Sequence, residues 1–388
     1  MKTKKVFIFV PGYYGSTLIE PKSGRLIWGD PKEVLLGRKS LAMPIPGMKV
    51  PGALDLYPHQ LINTVSLLGG LLKEEAYERT IDLLKSFEPE AVLPVAWDWR
   101  REPMHGIMRL DETVRQARLR FPKAHLILVS HSFGSVISSY YLRYGTQDYM
   151  TATETWEGLS HFNRVILAAA PFRGLMAMFR NMLNGFRFGL NTNLQTPLAF
   201  CSFESSYYLL PPKGFDTVQT EQGKSLSLDL HQPEVWQKNR WGLFHEKLGL
   251  TADSLDARKS FTRLHLARAA KFHELMEAKK THLPPEHGKA LYLEGLGQKT
   301  IHEGVWLQQH KEPNIFLYYA RDFKRHKVSL KYDCVYGDGD QTVPDFSAEL
   351  LPALKALTQV HHRAHHTHLE ILQHSSSQKV IADFIQNP

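Results

Sequence analysis

The 388-residue chain is long enough to bury a sizeable core, and 43% of its residues are apolar. Lys and Arg exceed Asp and Glu by 47 to 39, a formal charge of +8 interleaved with acids, which suits an acidic or lipid surface and argues against a nucleic-acid binder. Its two cysteines, Cys201 and Cys334, exclude a disulfide framework and, with apolar neighbours, are expected as buried free thiols.

Lys2, Lys4 and Lys5 before Val6–Val10 resemble the start of a leader. The apolar run stops at Pro11-Gly12, however, short of the roughly seven residues a leader needs, and no stretch approaches a membrane span. The expected setting is cytoplasmic, free or peripheral at a membrane. Val6–Val10 reads instead as a buried strand ending in the glycine loop Pro11-Gly12-Tyr13-Tyr14-Gly15-Ser16. Residues 20–70 form an irregular Pro- and Gly-rich excursion. A helix is expected from Glu74, with Tyr77, Ile81 and Leu84 on one face, then a strand over Ala91–Ala96 and a helix carrying Leu110, Val114, Ala117 and Phe121. Further strands are expected at Leu126–Val129 and Val165–Ala170. This alternation predicts an α/β fold with a mostly parallel sheet covered on both faces.

After Pro171 the apolar residues from Leu175 to Leu190 lie on nearly every side of a helix, with Arg173, Arg180 and Arg187 between them. Such a segment must bury itself against the body, either as a fixed inserted helix or as a lid that opens onto lipid. Residues 231–290 are polar and rich in His and Lys, with a helix expected over Ser254–Lys279. Strands return at Ala290–Leu293, Asn314–Ala320 and Val328–Val335, followed by two helices marked by Leu350, Leu351, Leu354 and Leu357 and by Val380, Ile381, Phe384 and Ile385. The resulting division is 1–170 for the first part of the core, 171–289 for a lid and cap insertion, and 290–388 for the rest of the core.

The strand–turn–helix at Leu126-Ile127-Leu128-Val129-Ser130-His131-Ser132-Phe133-Gly134-Ser135 is the context of a serine nucleophile. Residues two before and two after Ser132 must be small where strand and helix cross; Gly134 meets this fully and Ser130 approximately. A serine needs a base, an acid and oxyanion donors. The acid is sought in Asp338-Gly339-Asp340-Gln341-Thr342-Val343, where Asp340 is preferred to Asp338 because it lies three residues before Val343. A solvated turn or a fragment of a calcium loop are the competing readings of that stretch. The base is sought in His365-His366-Thr367-His368, where His368 precedes the last helix. A zinc reading of His361, His362, His365, His366 and His368 lacks the His-Glu-x-x-His arrangement. The backbone amides of Phe133 and Tyr14 are the expected oxyanion donors.

Together these pieces resemble the lecithin:cholesterol acyltransferase family, with its lysosomal phospholipase and phospholipid:diacylglycerol acyltransferase relatives. Val10-Pro11-Gly12-Tyr13-Tyr14-Gly15 is similar to the family's oxyanion loop, Ile27-Trp28 falls where it carries a tryptophan, and Trp97-Asp98-Trp99-Arg100 is similar to its Tyr-Asp-Trp-Arg signature. Ala170-Pro171-Phe172-Arg173-Gly174 and Tyr207-Tyr208-Leu209-Leu210-Pro211 bracket a lid-like insertion, and Gly295-Leu296-Gly297 with Asp338–Val343 and His368-Leu369 complete the set. The resemblance implies an α/β-hydrolase fold, a Ser132–Asp340–His368 triad and oxyanion donors at Tyr14 and Phe133. Trp99, Phe172, Met176 and Phe179 are the candidates for substrate or lid contacts. Ser130 replaces the elbow glycine, and the cysteines that tie the family's membrane-binding loop are missing.

The function expected is a serine acyl hydrolase or acyltransferase of lipid carboxylic esters, phospholipids above all, working at a lipid interface without metal or organic cofactor. The alternatives are a triacylglycerol or simple-ester lipase, and a catalytically silent membrane-binding protein of the same fold. No nucleic acid is expected as partner, and no protein partner is inferable.

Overall fold

The computed structural model describes residues 4–62, 64–67, 72–75, 77–188, 190–279, 289–307 and 316–386. A six-stranded sheet forms its centre: β1 (Lys5–Val10), β2 (Ala91–Pro94), β3 (His125–His131), β4 (Arg164–Ala168), β5 (Lys289–Gly295) and β6 (Thr358–Ala364), in the order β6-β5-β4-β3-β1-β2. Every pairing is parallel. Val6 to Val10 and Val165 to Ala168 are fully buried, the unbroken apolar runs of strands covered on both faces. Pro94, which cannot donate to a ladder, ends the edge strand β2.

Helix α1 (Pro103–Arg120) and helix α2 (Phe133–Tyr144) pack on this sheet, and all of α2 is buried. That burial explains its composition. Ser135 and Ser139 bond backbone oxygens at Ala168 and Ser135, and Tyr140 stacks on Phe272 of the long helix α4 (Leu255–Glu277). Arg143 pairs with Glu154 and donates to the carbonyls of Leu275, Met276 and Ala278, so a buried cation closes the carboxyl end of α4. Helix α3 (Met176–Asn184) follows β4, and helix α5 (Ser375–Gln386) follows β6.

Several expectations change. The helix expected from Glu74 starts at Glu78, because Leu72–Glu75 pair antiparallel with Thr64–Leu67 and that ladder occupies the backbone of Glu74. Val328–Val335 is no strand: Tyr332–Val335 is a 3-10 turn, and only Tyr336–Gly337 pairs, with Thr300–Ile301. The strand expected over Asn314–Ala320 is reduced to Phe316–Leu317, Asn314 lying outside the described residues. The histidine cluster hides an element, since His361 and His362 belong to edge strand β6. Cys201 is buried, but Cys334 is partly exposed. Among the described residues no helix is long and apolar enough to cross a membrane.

Candidate active site

At the carboxyl end of β3 the backbone turns sharply into α2, and the turn residue Ser132 sits at φ 55°, ψ −129°. A non-glycine residue there is strained, and the surroundings hold it. Ser132 N–H donates to Ala168 O at 2.8 Å and Ser132 O accepts from Ser135 N–H at 2.8 Å. The crossing is as tight as the sequence requires, since a Cβ on Gly134 would lie 2.4 Å from Val10 O. Ser130 fits the other small position, its hydroxyl directed to Ile166 O at 3.3 Å.

His368 stands on the loop after β6. Its Nε2 is 2.8 Å from Ser132 Oγ and its Nδ1 2.7 Å from Asp340 Oδ2. The other oxygen of Asp340 accepts from the amides of Thr342 at 2.9 Å and Val343 at 2.6 Å, so the carboxylate is buried with both oxygens occupied. The spacing to Val343 that singled out Asp340 is this turn. Asp338 instead accepts from the amides of Gly297 and Gly339, tying the loop together. The chain leaves the end of β5 after Gly295 and brings Asp340 back to it: a Cβ on Gly295 would meet Asp340 Cβ at 2.7 Å.

The loop after β1 closes the site from the other side. Gly15 N–H bonds Gly12 O at 3.0 Å, and this turn puts Tyr14 at φ 66°. The indole N–H of Trp28 donates to Tyr14 O at 2.9 Å and Tyr14 Oη donates to Gln195 at 2.9 Å, fixing the peptide and the ring. A Cβ on Gly12 would come within 2.6 Å of Ser132 Cβ, so loop and serine are in contact. Phe133 is the first residue of α2, where a helix leaves amides unpaired. Tyr14 and Phe133 both border the cavity at Ser132.

That cavity measures about 530 Å³. Tyr13, Trp28, Leu175, Met178 and Leu209 give it an apolar wall, while Arg180, Lys299 and Tyr319 lie on a polar one. Of the four side chains expected to contact substrate, none lines it. Trp99 packs beneath Tyr13, Tyr14 and Trp28. Phe172 lies against Tyr292, Phe179 against Trp236, Trp241 and Phe316, and Met176 is fully buried. In the post-Pro171 segment the lining falls to Leu175, Ala177, Met178, Arg180, Asn181 and Phe186, because α3 turns its Phe179 face inward.

The parts that His131 and Tyr77 play in the site escaped the sequence reading. His131, beside Ser132, is buried, and burial with the neighbouring His368 pushes its pKa down to about 3. Its Nε2 lies 2.8 Å from His368 O and its Nδ1 3.0 Å from Tyr77 Oη. The signal was its position between strand and nucleophile. The remaining clustered histidines make local contacts, such as His361 to Glu294 at 2.6 Å. Among the described residues no group of three or more His, Cys, Asp or Glu side chains could hold a metal ion.

A parallel sheet, a serine on a strained turn between β3 and α2, and a histidine on the loop after the last strand define an α/β-hydrolase. The crystal structure of the Tle4–Tli4 complex shares this fold with a TM-score of 0.62 at 12% identity, over 99% of this chain and 98% of that one. The mature form of the Bacillus licheniformis lipase BlEst2 is a looser likeness, with a TM-score of 0.39 at 12% identity over 99% and 92% of the two chains. None of the curated proteins searched matches the chain. The sequence model of the lecithin:cholesterol acyltransferase family matches residues 66–239, so over that stretch the chain is similar to this family. That match contains Ser132 and α3 but ends before Asp340 and His368, whose relation to Ser132 rests on geometry.

Proposed function

We propose that this protein is a serine acyl hydrolase or acyltransferase acting on carboxylic esters of lipids, with phospholipids as the expected substrates. The observation that carries the reading is the series Asp340–His368–Ser132, hydrogen-bonded end to end at the wall of a partly apolar cavity. The family match is in keeping with ester chemistry on lipids.

In the proposed mechanism His368 Nε2 takes the Ser132 proton as Oγ attacks the ester carbonyl. Asp340 accepts from Nδ1–H, which fixes the tautomer and stabilises the imidazolium. The amides of Tyr14 and Phe133 receive the oxyanion, each donor worth on the order of a hundredfold or more in rate. His368 then returns the proton to the departing alcohol. Water or a lipid alcohol, deprotonated by the same histidine, releases the acyl chain from Ser132. Leu36 and Leu190 are strongly exposed, and Phe186, half-exposed at the cavity, adds to an apolar surface suited to peripheral contact with lipid.

The test is to incubate wild type and Ser132→Ala with phospholipid vesicles containing a sterol and diacylglycerol and to identify products by mass spectrometry. Free fatty acid from wild type alone supports the hydrolase; sterol ester or triacylglycerol supports acyl transfer. Vesicle binding by both proteins with no product from either would overturn the proposal.

A further inference from the structure

The polar wall of the cavity carries charge of one sign. Among its described lining residues Arg180 and Lys299 bear fixed positive charges, and none is a carboxylate. Arg180, on α3, is only 9% exposed. Its Nε and Nη2 donate to Asn181 Oδ1 at 3.1 and 2.7 Å, and its Nη1 donates to Tyr319 Oη. Both partners are neutral, and Arg180 forms no ion pair with any described residue. The buried Arg100, Arg143 and Arg173 each hold a carboxylate, from Asp98, Glu154 and Glu277, while Arg258, buried to the same degree as Arg180, donates to the carbonyls of Leu243 and Thr251 away from the cavity. Burying an uncompensated guanidinium is costly, and this one is buried at the proposed substrate cavity.

A guanidinium has five N–H donors, and three are used, which leaves one on each Nη to receive two oxygens of one anion. Lys299 stands at the same wall, half-exposed. Its ion pair with Asp333 is equally exposed and therefore weak, so an arriving anion displaces it at little cost. A quaternary ammonium needs an aromatic face or a carboxylate. At this wall the aromatic faces are already taken: Arg180 lies 5.4 Å over the ring of Tyr319 and Lys299 4.6 Å over that of Tyr336.

Resting on the proposed lipid-ester reading, we propose that Arg180, with Lys299 beside it, selects phospholipids whose headgroup has a net negative charge, and disfavours those whose phosphate is followed by choline. Arg180 is a specificity-determining residue in this scheme, its two remaining N–H groups held by the phosphodiester while the acyl chains occupy the Tyr13–Trp28–Met178 wall.

The test uses full-length Ser132→Ala with dihexanoyl phosphatidylglycerol and dihexanoyl phosphatidylcholine as monomers, so that vesicle charge plays no part. The phosphodiester is common to both lipids, so the difference read is the choline cation set against Arg180 and Lys299; a like-charge cost of about 1.4 kcal/mol or more corresponds to roughly tenfold or greater preference for phosphatidylglycerol. Arg180→Gln in the same background should remove that preference and Arg180→Lys should restore part of it. Equal affinity for the two lipids, or a preference that survives Arg180→Gln, overturns the proposal. So does equally tight binding of the deacylated headgroup glycerophosphoglycerol, which would make this a soluble phosphodiester site. Because these arms need no turnover, a headgroup preference in Ser132→Ala with no cleavage by wild type would sink the hydrolase reading and support the selectivity.

Discussion

His131 donates its Nε2–H to the backbone carbonyl of His368 across 2.8 Å, so the residue before the proposed nucleophile holds the loop that carries the proposed base. A carbonyl can only accept, which makes Nδ1 of the neutral His131 an acceptor for Tyr77 Oη–H at 3.0 Å. Tyr77 Oη in turn accepts Gly12 N–H at 3.0 Å. One directional chain therefore joins the glycine loop after β1, the turn at Ser132 and the loop of His368.

Tyr77→Phe cuts this chain and leaves Gly12 N–H and His131 Nδ1 buried without a partner. Each orphaned group costs about 1–3 kcal/mol. For the two groups together urea unfolding should show a loss of roughly 2–6 kcal/mol, and kcat on a soluble ester should drop more than KM rises, since both catalytic loops lose their anchor. Unchanged kcat in a folded Tyr77→Phe protein would show that the chain is structural only.

Gly12→Ala places a Cβ 2.6 Å from Ser132 Cβ, and Gly134→Ala places one 2.4 Å from Val10 O. The two should fail differently. Gly134→Ala forces backbone apart in the core and should cost about 1–3 kcal/mol or more, read as a lowered Tm. Gly12→Ala pushes the glycine loop off the serine and should reduce turnover by roughly a hundredfold, with a smaller loss of Tm. Equal activity in wild type and Gly12→Ala would contradict the placement of that loop.

Asp340→Asn keeps the shape of the turn but removes the negative charge facing His368 Nδ1 at 2.7 Å. The amide can offer its N–H₂ where the carboxylate accepted, favouring the wrong imidazole tautomer. Turnover should fall by on the order of 10⁴, as in other triads. Asp338→Asn, whose contacts are to backbone amides, should fall far less. The reverse ranking would move the acid to Asp338.

Much of this site was legible because its chemistry is local. Ser132 is announced by the strand before it and the small residues around it, and Asp340 by a turn that closes on Val343. What was not legible depends on distant packing. Trp99, Phe172, Met176 and Phe179 are apolar residues near the right motifs, but only the docked orientation of α3 and the Tyr13–Tyr14–Trp28 cluster decides that they lie behind the wall. Strand β6 was hidden because Thr358–Ala364 is an edge strand whose polar residues, His361 among them, alternate toward solvent. Tyr77 read as one face of a helix; in the structure it precedes that helix and reaches His131.

Buried histidines give stability a pH dependence of known sign. Burial pushes His131 and His273 down to about 3 and His231 and His265 to about 4, against an ordinary value of 6.5. The unfolded chain binds these protons first, so stability is full above pH 6.5 and is lost as pH falls toward 4. Each histidine contributes a slope approaching about 1.4 kcal/mol per pH unit within that window. Urea midpoints measured from pH 7.5 to 5 should decline, and His273→Gln should flatten the decline; a flat profile in wild type would contradict the burial of these groups.

The central claim is that Ser132 is an activated nucleophile. The most direct measurement is the rate and site of labelling by an alkyl fluorophosphonate, followed by intact mass and peptide mapping. The account predicts one adduct per chain, on Ser132, absent in Ser132→Ala and formed far more slowly in His368→Ala. Labelling of another residue, or a rate indifferent to His368, would contradict it.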